Sequence, residues 1–202
     1  MNVGKKMLPK QKEKKIKIFE AAREIFAEKG YENTTMSQIA FASNVAIGTI
    51  YEYFDNKEEL FFYVAAERYE TFDKELKIQL SGIKSAFDKI RKYIWFYFYY
   101  FQKDPVYAEL WLFNIRLNKR LSASNEHPWM QQSGRVIIDM LREGQAEGVV
   151  RQDVSLYVIR HMILGSLEHA MTRWLLKGKV YDVLPYSENI SDLIIEAIKK
   201  RS

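Results

Sequence analysis

Residues 35–54 read TMSQIAFASNVAIGTIYEYF, and this stretch predicts two short helices separated by a tight turn. Thr35 and Gln38 can form a capping box, in which a hydroxyl and an amide satisfy backbone N–H groups at the start of a helix. Asn44 lies in the turn and adopts the left-handed conformation at lower cost than most residues. Two short helices around such a turn form a helix-turn-helix, whose second helix fits the major groove of DNA.

The second helix, predicted over about residues 46–54, has two different faces. Ala46, Thr49 and Tyr53 share one face by their helical spacing, whereas Ile50 and Phe54 lie on the other. The apolar face can pack on a preceding helix, so the first face remains free for DNA.

Gly48 and Lys57 are unfavourable choices unless a partner is nearby. Gly48 in so short a helix costs roughly 1 kcal/mol relative to alanine. Either another helix or a DNA backbone approaches it closely, and we favour DNA. Lys57 lies in the first turn of the next helix, where the helix dipole disfavours a cation. A DNA phosphate would reverse that effect; otherwise Lys57 is an exposed lysine that Glu58 and Glu59 offset.

Helical signals run along the whole chain, without sustained alternation of apolar and polar residues. The first helix is expected over residues 11–29 and the fourth from about residue 57 to 80, and Asp104 before Pro105 starts another. We predict an all-α protein of about nine helices. An N-terminal three-helix helix-turn-helix domain (residues 1–55) is joined to a C-terminal helical bundle (residues 56–202) by the fourth helix.

The composition excludes several classes of protein. With 202 residues, 48% of them hydrophobic, the chain can bury a substantial core. It has no cysteine, so disulfides and thiolate metal sites are excluded. The N-terminus lacks an apolar signal segment, and the aromatic run over residues 93–101 is far shorter than the roughly 20 residues that cross a bilayer. We expect a cytoplasmic protein with no membrane partner.

The net charge of +5 is concentrated near the N-terminus, where the first seventeen residues contain seven lysines and one acid, Glu13. On composition alone, these lysines form either a solubilising tail or a nucleic-acid-binding extension. The neighbouring helix-turn-helix favours a flexible, basic N-terminal arm that binds DNA.

Residues 93–101, YIWFYFYYF, leave no polar face on the fifth predicted helix, which we therefore expect in the middle of the bundle. Each tyrosine hydroxyl needs a partner or a water-filled space. The aromatic residues form either a solid core or an apolar ligand cavity with a few polar groups. The candidate lining residues are Tyr93, Trp95, Phe96, Tyr97, Tyr99, Tyr100, Trp111, Phe113 and Trp129.

Because a single helix-turn-helix contacts little DNA, such modules normally pair to read two half-sites. The last two predicted helices have apolar stripes, which either close the core of the protomer or pair with a second copy. We predict a homodimer. The candidate interface residues are Met162, Ile163, Ser166, Ala170, Trp174, Leu193, Ile194, Ala197 and Ile198.

Residues 18–60, IFEAAREIFAEKGYENTTMSQIAFASNVAIGTIYEYFDNKEEL, resemble the DNA-binding domain of the TetR family. The elements that match are Gly-Tyr-x-x-Thr-Thr, Ile-Ala, Gly-Thr-Ile-Tyr-x-Tyr-Phe and Lys-Glu-x-Leu. The resemblance implies a ligand-responsive transcriptional repressor that binds double-stranded operator DNA as a homodimer. It also implies that Thr35, Tyr51, Tyr53 and Lys57 contact phosphates, while Ala46, Ile47, Gly48 and Thr49 approach base edges.

The sequence departs from the family pattern at three of these positions. Asn44 stands where glycine is usual, and Ala46, which cannot cap a helix, stands where serine is common. Ile47 replaces a residue that is commonly polar or basic, so base recognition here depends more on apolar contact with thymine methyl groups.

The segment from Gly165 to Asp182 is similar to that of the fatty-acid-degradation regulators of this family, which respond to long-chain acyl-CoA. The resemblance implies a small hydrophobic effector whose acyl chain meets the aromatic helix. Arg116, Arg120 or Arg173 would then meet the CoA phosphates, or else each forms a surface salt bridge.

Two other readings of the effector remain open. One is a regulator that senses aromatic or cationic drug-like compounds, with Glu109 or Glu168 as the counter-charge. The other is a DNA-binding protein without an effector.

Catalysis is not indicated by any motif. The three histidines, His127, His161 and His169, lack metal-ligand spacing with a carboxylate. The chain also lacks a Gly-x-Ser-x-Gly element and a glycine-rich phosphate loop. We therefore expect no enzymatic activity, no metal and no cofactor.

Overall fold

The computed structural model describes residues 9–118 and 134–200, and this part of the chain forms nine α-helices and one π-helical segment. The all-α prediction is confirmed. The elements are α1 (Pro9–Lys29), α2 (Met36–Ala42), α3 (Ile47–Tyr51), α4 (Lys57–Leu80), α5 (Ala86–Lys103), α6 (Pro105–Glu109), the π segment (Leu110–Ile115), α7 (Arg135–Ala146), α8 (Leu156–Leu176) and α9 (Pro185–Ile198).

Local signals determine the bounds of the first three helices. Helix α1 ends at Gly30, whose φ of 75° lies in the left-handed region that favours glycine. The capping box is present: the Gln38 N–H donates to the Thr35 hydroxyl over 3.2 Å, and the Thr35 N–H donates to the Gln38 side-chain oxygen over 3.0 Å. Asn44 has a φ of 53°, as predicted for the turn.

Helix α1 begins at Pro9, so the lysines from position 10 to 17 are helical. The Lys15 ammonium lies 4.0 Å from the centroid of the Tyr63 ring, and the Tyr53 hydroxyl donates to the Gln11 carbonyl oxygen over 3.2 Å. These contacts hold the start of α1 against neighbouring elements. The expectation of a flexible arm is therefore wrong for these lysines, whereas the first eight residues lie outside the described part of the chain.

Helix α5 occupies the centre of the bundle, where it packs against α4, α6, α7, α8 and α9. Most of its aromatic side chains are buried, as the absence of a polar face predicted. Trp95 and Tyr99 are only partly buried, and their rings stack with centroids 5.1 Å apart.

Two kinds of contact join the helix-turn-helix to the bundle. Helix α4 begins in the N-terminal part, where the Asn56 side chain accepts the Glu59 N–H over 2.9 Å, and it continues into the bundle. Helix α1 also packs against α6 and the π segment. Among the described residues, no helix is both long and apolar enough to cross a bilayer.

Candidate DNA-binding surface and ligand cavity

Helix α3 presents the two faces that its sequence predicted, although it ends at Tyr51 instead of near residue 54. Ile50 and Phe54 are buried against the core of the module. Ala46, Ile47 and Gly48 are exposed on the other side, and Thr49 is partly buried. The predicted base-reading residues therefore include an exposed surface at the start of α3.

Gly48 has open space around it. A Cβ atom built at this position would meet no heavy atom within 4 Å. No described helix packs closely on Gly48, which excludes one of the two explanations for a glycine here. Close approach of a DNA backbone remains as the reason for its cost in helix stability.

The four candidate phosphate contacts differ in how free their polar atoms are. Thr35 and Tyr51 are exposed, and the Thr35 hydroxyl keeps its proton for an outside acceptor because it accepts the cap hydrogen bond. The hydroxyl of Tyr53 already donates to Gln11.

Lys57 has partners that the sequence did not indicate. Its ammonium donates to the carbonyl oxygens of Tyr31 and Glu32, over 2.6 and 3.3 Å, and lies 4.3 Å from the centroid of the Tyr31 ring. These contacts offset an unfavourable helix dipole without DNA. An ammonium carries three protons, so one remains for a phosphate.

Phe41 is a feature of this module that sequence reasoning missed. It lies on α2 and its side chain is 90% exposed. The neighbouring Ile39 and Ala40 form the buried face of the same helix, so the helical position of Phe41 was the available signal.

A cavity of about 320 Å³ lies in the bundle, bounded by α4, α5, α6, the π segment and α8. Its wall is mostly aromatic, with a group of charged residues on one part. The lining residues are Tyr69, Phe72, Tyr93, Tyr97, Phe101, Tyr107, Trp111, Arg116, Arg160, His161, Leu164, Gly165 and Glu168.

The structure brings three of the predicted lining residues together, since Tyr93, Tyr97 and Trp111 all line this cavity. Five others do not line it. Phe96 and Tyr100 pack against Phe72 in the core, Trp95 and Tyr99 stack on each other, and Phe113 is exposed. Trp129 lies outside the described residues.

The contribution of α8 to the cavity was missed. Arg160, Leu164 and Glu168 follow one another at intervals of four residues and share one face of this helix. That spacing was visible in the sequence, but so were other faces of the same helix.

A charged pair and a buried phenol define the polar part of the cavity. The Arg116 guanidinium donates to the Glu168 carboxylate over 2.7 Å. Burial raises the pKa of Glu168 above its ordinary value, while Arg116 and Arg160 act in the opposite direction. Burial also raises the pKa of Tyr97 well above its ordinary value, and the charge of Glu168 adds to this shift. Tyr97 therefore stays a neutral hydrogen-bond donor.

A basic groove of about 500 Å³ adjoins the cavity, because Arg160 lines both spaces. Arg135 and Arg142 also line the groove, together with one acid, Asp139, which accepts from Arg142 over 3.1 Å. The Nε of Arg160 is buried and has no hydrogen-bond partner within the described ranges. An apolar space therefore opens beside unneutralised arginine.

The other charged candidates have different positions. Arg173 is exposed and lines a separate groove between α8 and α9, and Arg120 lies outside the described residues. The two carboxylates proposed as counter-charges for a cationic drug are both paired, Glu109 with Lys179 over 2.9 Å and Glu168 with Arg116.

The predicted dimer stripe divides into two groups. Ile163, Trp174, Ile194 and Ile198 are buried within the protomer, so they fill its core and cannot face a second copy. Met162, Leu193 and Ala197 are exposed, and Ser166 and Ala170 are partly exposed. These five residues on α8 and α9 remain as the candidate pairing face.

Taken together, the fold and these surfaces define a helix-turn-helix DNA-binding protein with a ligand cavity in its helical bundle. The family of bacterial regulatory proteins called tetR matches residues 18–64, and the C-terminal region of the YsiA-like proteins matches residues 65–197. The chain belongs to the TetR family of transcriptional regulators. Members of this family are not enzymes, in agreement with the prediction.

Several relatives match over nearly the whole chain. A fatty acid metabolism regulator protein of Bacillus subtilis is 26% identical over 193 residues, which cover 95% of this chain and 100% of that protein. The crystal structure of FadR from Bacillus subtilis in complex with stearoyl-CoA is similar with a TM-score of 0.83, at 26% identity, over 91% of this chain and 99% of that one. FadR from Bacillus halodurans gives a TM-score of 0.81 at 26% identity, over 95% of this chain and 97% of that one.

Proposed function

We propose that this chain represses transcription by binding an operator as a homodimer, and that a long-chain acyl-CoA bound in the bundle releases it from DNA. The observation that carries the effector assignment is the junction of the aromatic cavity with the arginine-lined groove at Arg160. A similar regulator from Bacillus subtilis has been crystallised with stearoyl-CoA, which supports the same ligand class here.

The two spaces match the two chemically different parts of an acyl-CoA. The apolar wall of the cavity, formed by residues such as Phe72, Phe101 and Trp111, suits an acyl chain. The groove presents Arg135, Arg142 and Arg160, whose guanidinium groups bind phosphates by charge-assisted hydrogen bonds. The glycine at position 134 leaves room for the Arg160 side chain, because an added Cβ would collide with its guanidinium group.

On DNA, the exposed start of α3 would approach base edges, with Thr35, Tyr51, Tyr53 and Lys57 near phosphates. A two-fold dimer places its recognition helices about 34–36 Å apart, which corresponds to one turn of DNA. Ligand in the cavity would move α4, which lines it through Tyr69 and Phe72 and also begins in the DNA-binding module. A change in the spacing of the two α3 helices would then lower operator affinity.

The direct test measures the affinity of the full-length protein for its own upstream DNA, with and without stearoyl-CoA. We expect the ligand to weaken operator binding at least tenfold. Equal affinities would contradict the effector assignment, whereas no salt-sensitive binding to any duplex would contradict the DNA-binding assignment.

A pair of variants separates the groove from general electrostatic attraction. Arg160→Ala should weaken stearoyl-CoA binding about tenfold, because a charge-assisted contact with phosphate is lost. Arg173→Ala on the same helix removes an equal charge outside the groove and should leave the affinity for stearoyl-CoA unchanged. The same loss in both variants would mean that the groove does not bind the headgroup.

The alternative effector class, a cationic drug-like compound, has weaker support. A buried carboxylate attracts a cation best when it is unpaired, but Glu109 and Glu168 each have a basic partner.

A further inference from the structure

The Tyr97 hydroxyl is a hydrogen-bond donor for which the described part of the chain supplies no acceptor. The ring lines the cavity, the residue is only 3% exposed, and its oxygen is buried without a hydrogen-bond partner. Buried polar groups in folded proteins are normally paired, because an unpaired one is destabilising. A ligand atom that accepts this hydrogen bond would account for a tyrosine at a position where phenylalanine would fill the same space.

A carboxylate on the same cavity wall limits which ligand atoms Tyr97 can bind. After burial, the negative charge of Glu168 is the strongest influence on the Tyr97 hydroxyl. Arg116 lies 2.7 Å from that carboxylate and is neutralised by it. The surroundings of the hydroxyl therefore offer little attraction to a second anion.

Two oxygen acceptors can end an acyl chain, and they differ in charge. A thioester carbonyl oxygen is neutral and accepts from Tyr97 without repulsion. The carboxylate of a free fatty acid would enter beside Glu168 and would have to compete for Arg116. The cavity therefore favours the thioester.

We propose that Tyr97 binds the carbonyl oxygen of an acyl thioester and that Glu168 rejects the free carboxylate, so that the cavity distinguishes acyl-CoA from the corresponding fatty acid. This inference rests on the proposed effector class and adds its selectivity and the two residues that produce it. The remaining contacts of the CoA headgroup are those of the basic groove.

The first experiment titrates the full-length protein with stearoyl-CoA and records the ligand-free melting temperature. Tyr97→Phe should lower the affinity about tenfold, the effect of one lost hydrogen bond of about 1.4 kcal/mol. Its ligand-free melting temperature should be equal to or higher than that of the wild type, because the variant removes an unpaired donor. Tyr99→Phe, on the same helix but outside the cavity, is the matched control and should bind normally.

The second experiment compares stearoyl-CoA with stearate. Glu168→Gln should raise the affinity for stearate at least tenfold while changing that for stearoyl-CoA much less, because Arg116 is then free to pair with the ligand carboxylate. Normal stearoyl-CoA binding by Tyr97→Phe, or an unchanged preference in Glu168→Gln, would overturn the inference. A lower ligand-free melting temperature in Tyr97→Phe would also overturn it, since it would assign the hydroxyl a structural role.

The wild-type protein separates this inference from the proposed function. If the wild type does not bind stearoyl-CoA, the effector assignment itself fails. If it binds stearoyl-CoA and stearate equally well, the effector class stands but the thioester selectivity fails.

Discussion

Arg23 of α1 donates to both carboxylate oxygens of Asp104, over 2.8 Å in each case, and so ties the DNA-binding module to the start of α6. Asp104 also pairs with Arg68 of α4 and caps α6 by accepting the Tyr107 N–H over 3.0 Å. The Arg68 guanidinium lies 5.1 Å from the centroid of the Tyr107 ring, which lines the cavity. Four residues therefore connect the cavity wall with α1.

Asp104→Asn should weaken this connection while keeping the helix cap, since an amide oxygen can still accept from Tyr107. Arg23 and Arg68 are only 15% and 18% exposed and would lose their shared carboxylate. We expect a loss of about 2 kcal/mol in the free energy of unfolding and a smaller effect of stearoyl-CoA on operator affinity. Denaturant unfolding and operator titrations measure the two effects.

The control for Asp104→Asn is Asp192→Asn, which breaks the exposed pair with Arg91. An exposed pair contributes about 0–1 kcal/mol, so little stability should be lost. Equal losses in the two variants would show that the Asp104 cluster has no special role in stability.

Gly48→Ala should move stability and DNA affinity in opposite directions. The added methyl group meets nothing in the free protein and should stabilise α3 by about 1 kcal/mol. The same group would separate α3 from the DNA backbone, so operator affinity should fall. Thr71→Ala, at an exposed position of α4, also raises helix propensity and should leave operator affinity unchanged. A Gly48→Ala protein that binds the operator as tightly as the wild type would remove Gly48 from the DNA surface.

Lys57→Ala should affect both folding and DNA binding. Loss of the hydrogen bonds to Tyr31 and Glu32 should cost about 1–2 kcal/mol of stability. If the third ammonium proton meets a phosphate, the slope of log affinity against log salt concentration should fall by about 0.9. Lys77→Ala, at the exposed far end of the same helix, should leave the slope unchanged. A lower melting temperature with an unchanged slope would assign Lys57 a structural role alone.

The parts of the fold that could be predicted depend on interactions between residues close in sequence. The Thr35 and Gln38 cap, the left-handed Asn44 and the end of α1 at Gly30 each involve only a few neighbouring residues. The end of α3 was harder to place. Phe54 keeps its inward position by tertiary burial although the helix has already ended at Tyr51.

The cavity could be predicted only as a region. Nine consecutive aromatic or apolar residues on α5 have no periodicity, so the sequence does not distinguish Tyr97, which lines the cavity, from Trp95, which does not. The partners of Lys57 lie 25 and 26 residues earlier in the chain, and Arg160 and Glu168 enter from α8. Such contacts depend on helix packing, which spacing within one helix does not specify.

Glu168→Gln should change the dependence of stability on pH. Burial raises the folded-state pKa of Glu168 above the ordinary 4.5, so the native state holds this proton at pH values where the unfolded chain has lost it. Glu168 therefore destabilises the fold above its native pKa, and this cost disappears as the pH falls toward 4.5. The variant should be more stable than the wild type at pH 7, with a difference in melting temperature that shrinks on acidification. A difference that grows at acidic pH would contradict the sign of this shift.

Leu193→Glu should separate the dimer without unfolding the protomer. Leu193 lies on α9 and is 73% exposed in the protomer, so a charged side chain there costs little in a single copy but would be buried without a partner in a paired interface. Sedimentation should find a monomer at micromolar concentration, and operator affinity should fall sharply because each copy then contacts one half-site. Ile78→Glu places the same charge at an exposed position of α4, outside the candidate pairing face, and should remain dimeric. If Leu193→Glu also remains dimeric, the copies pair through a different surface.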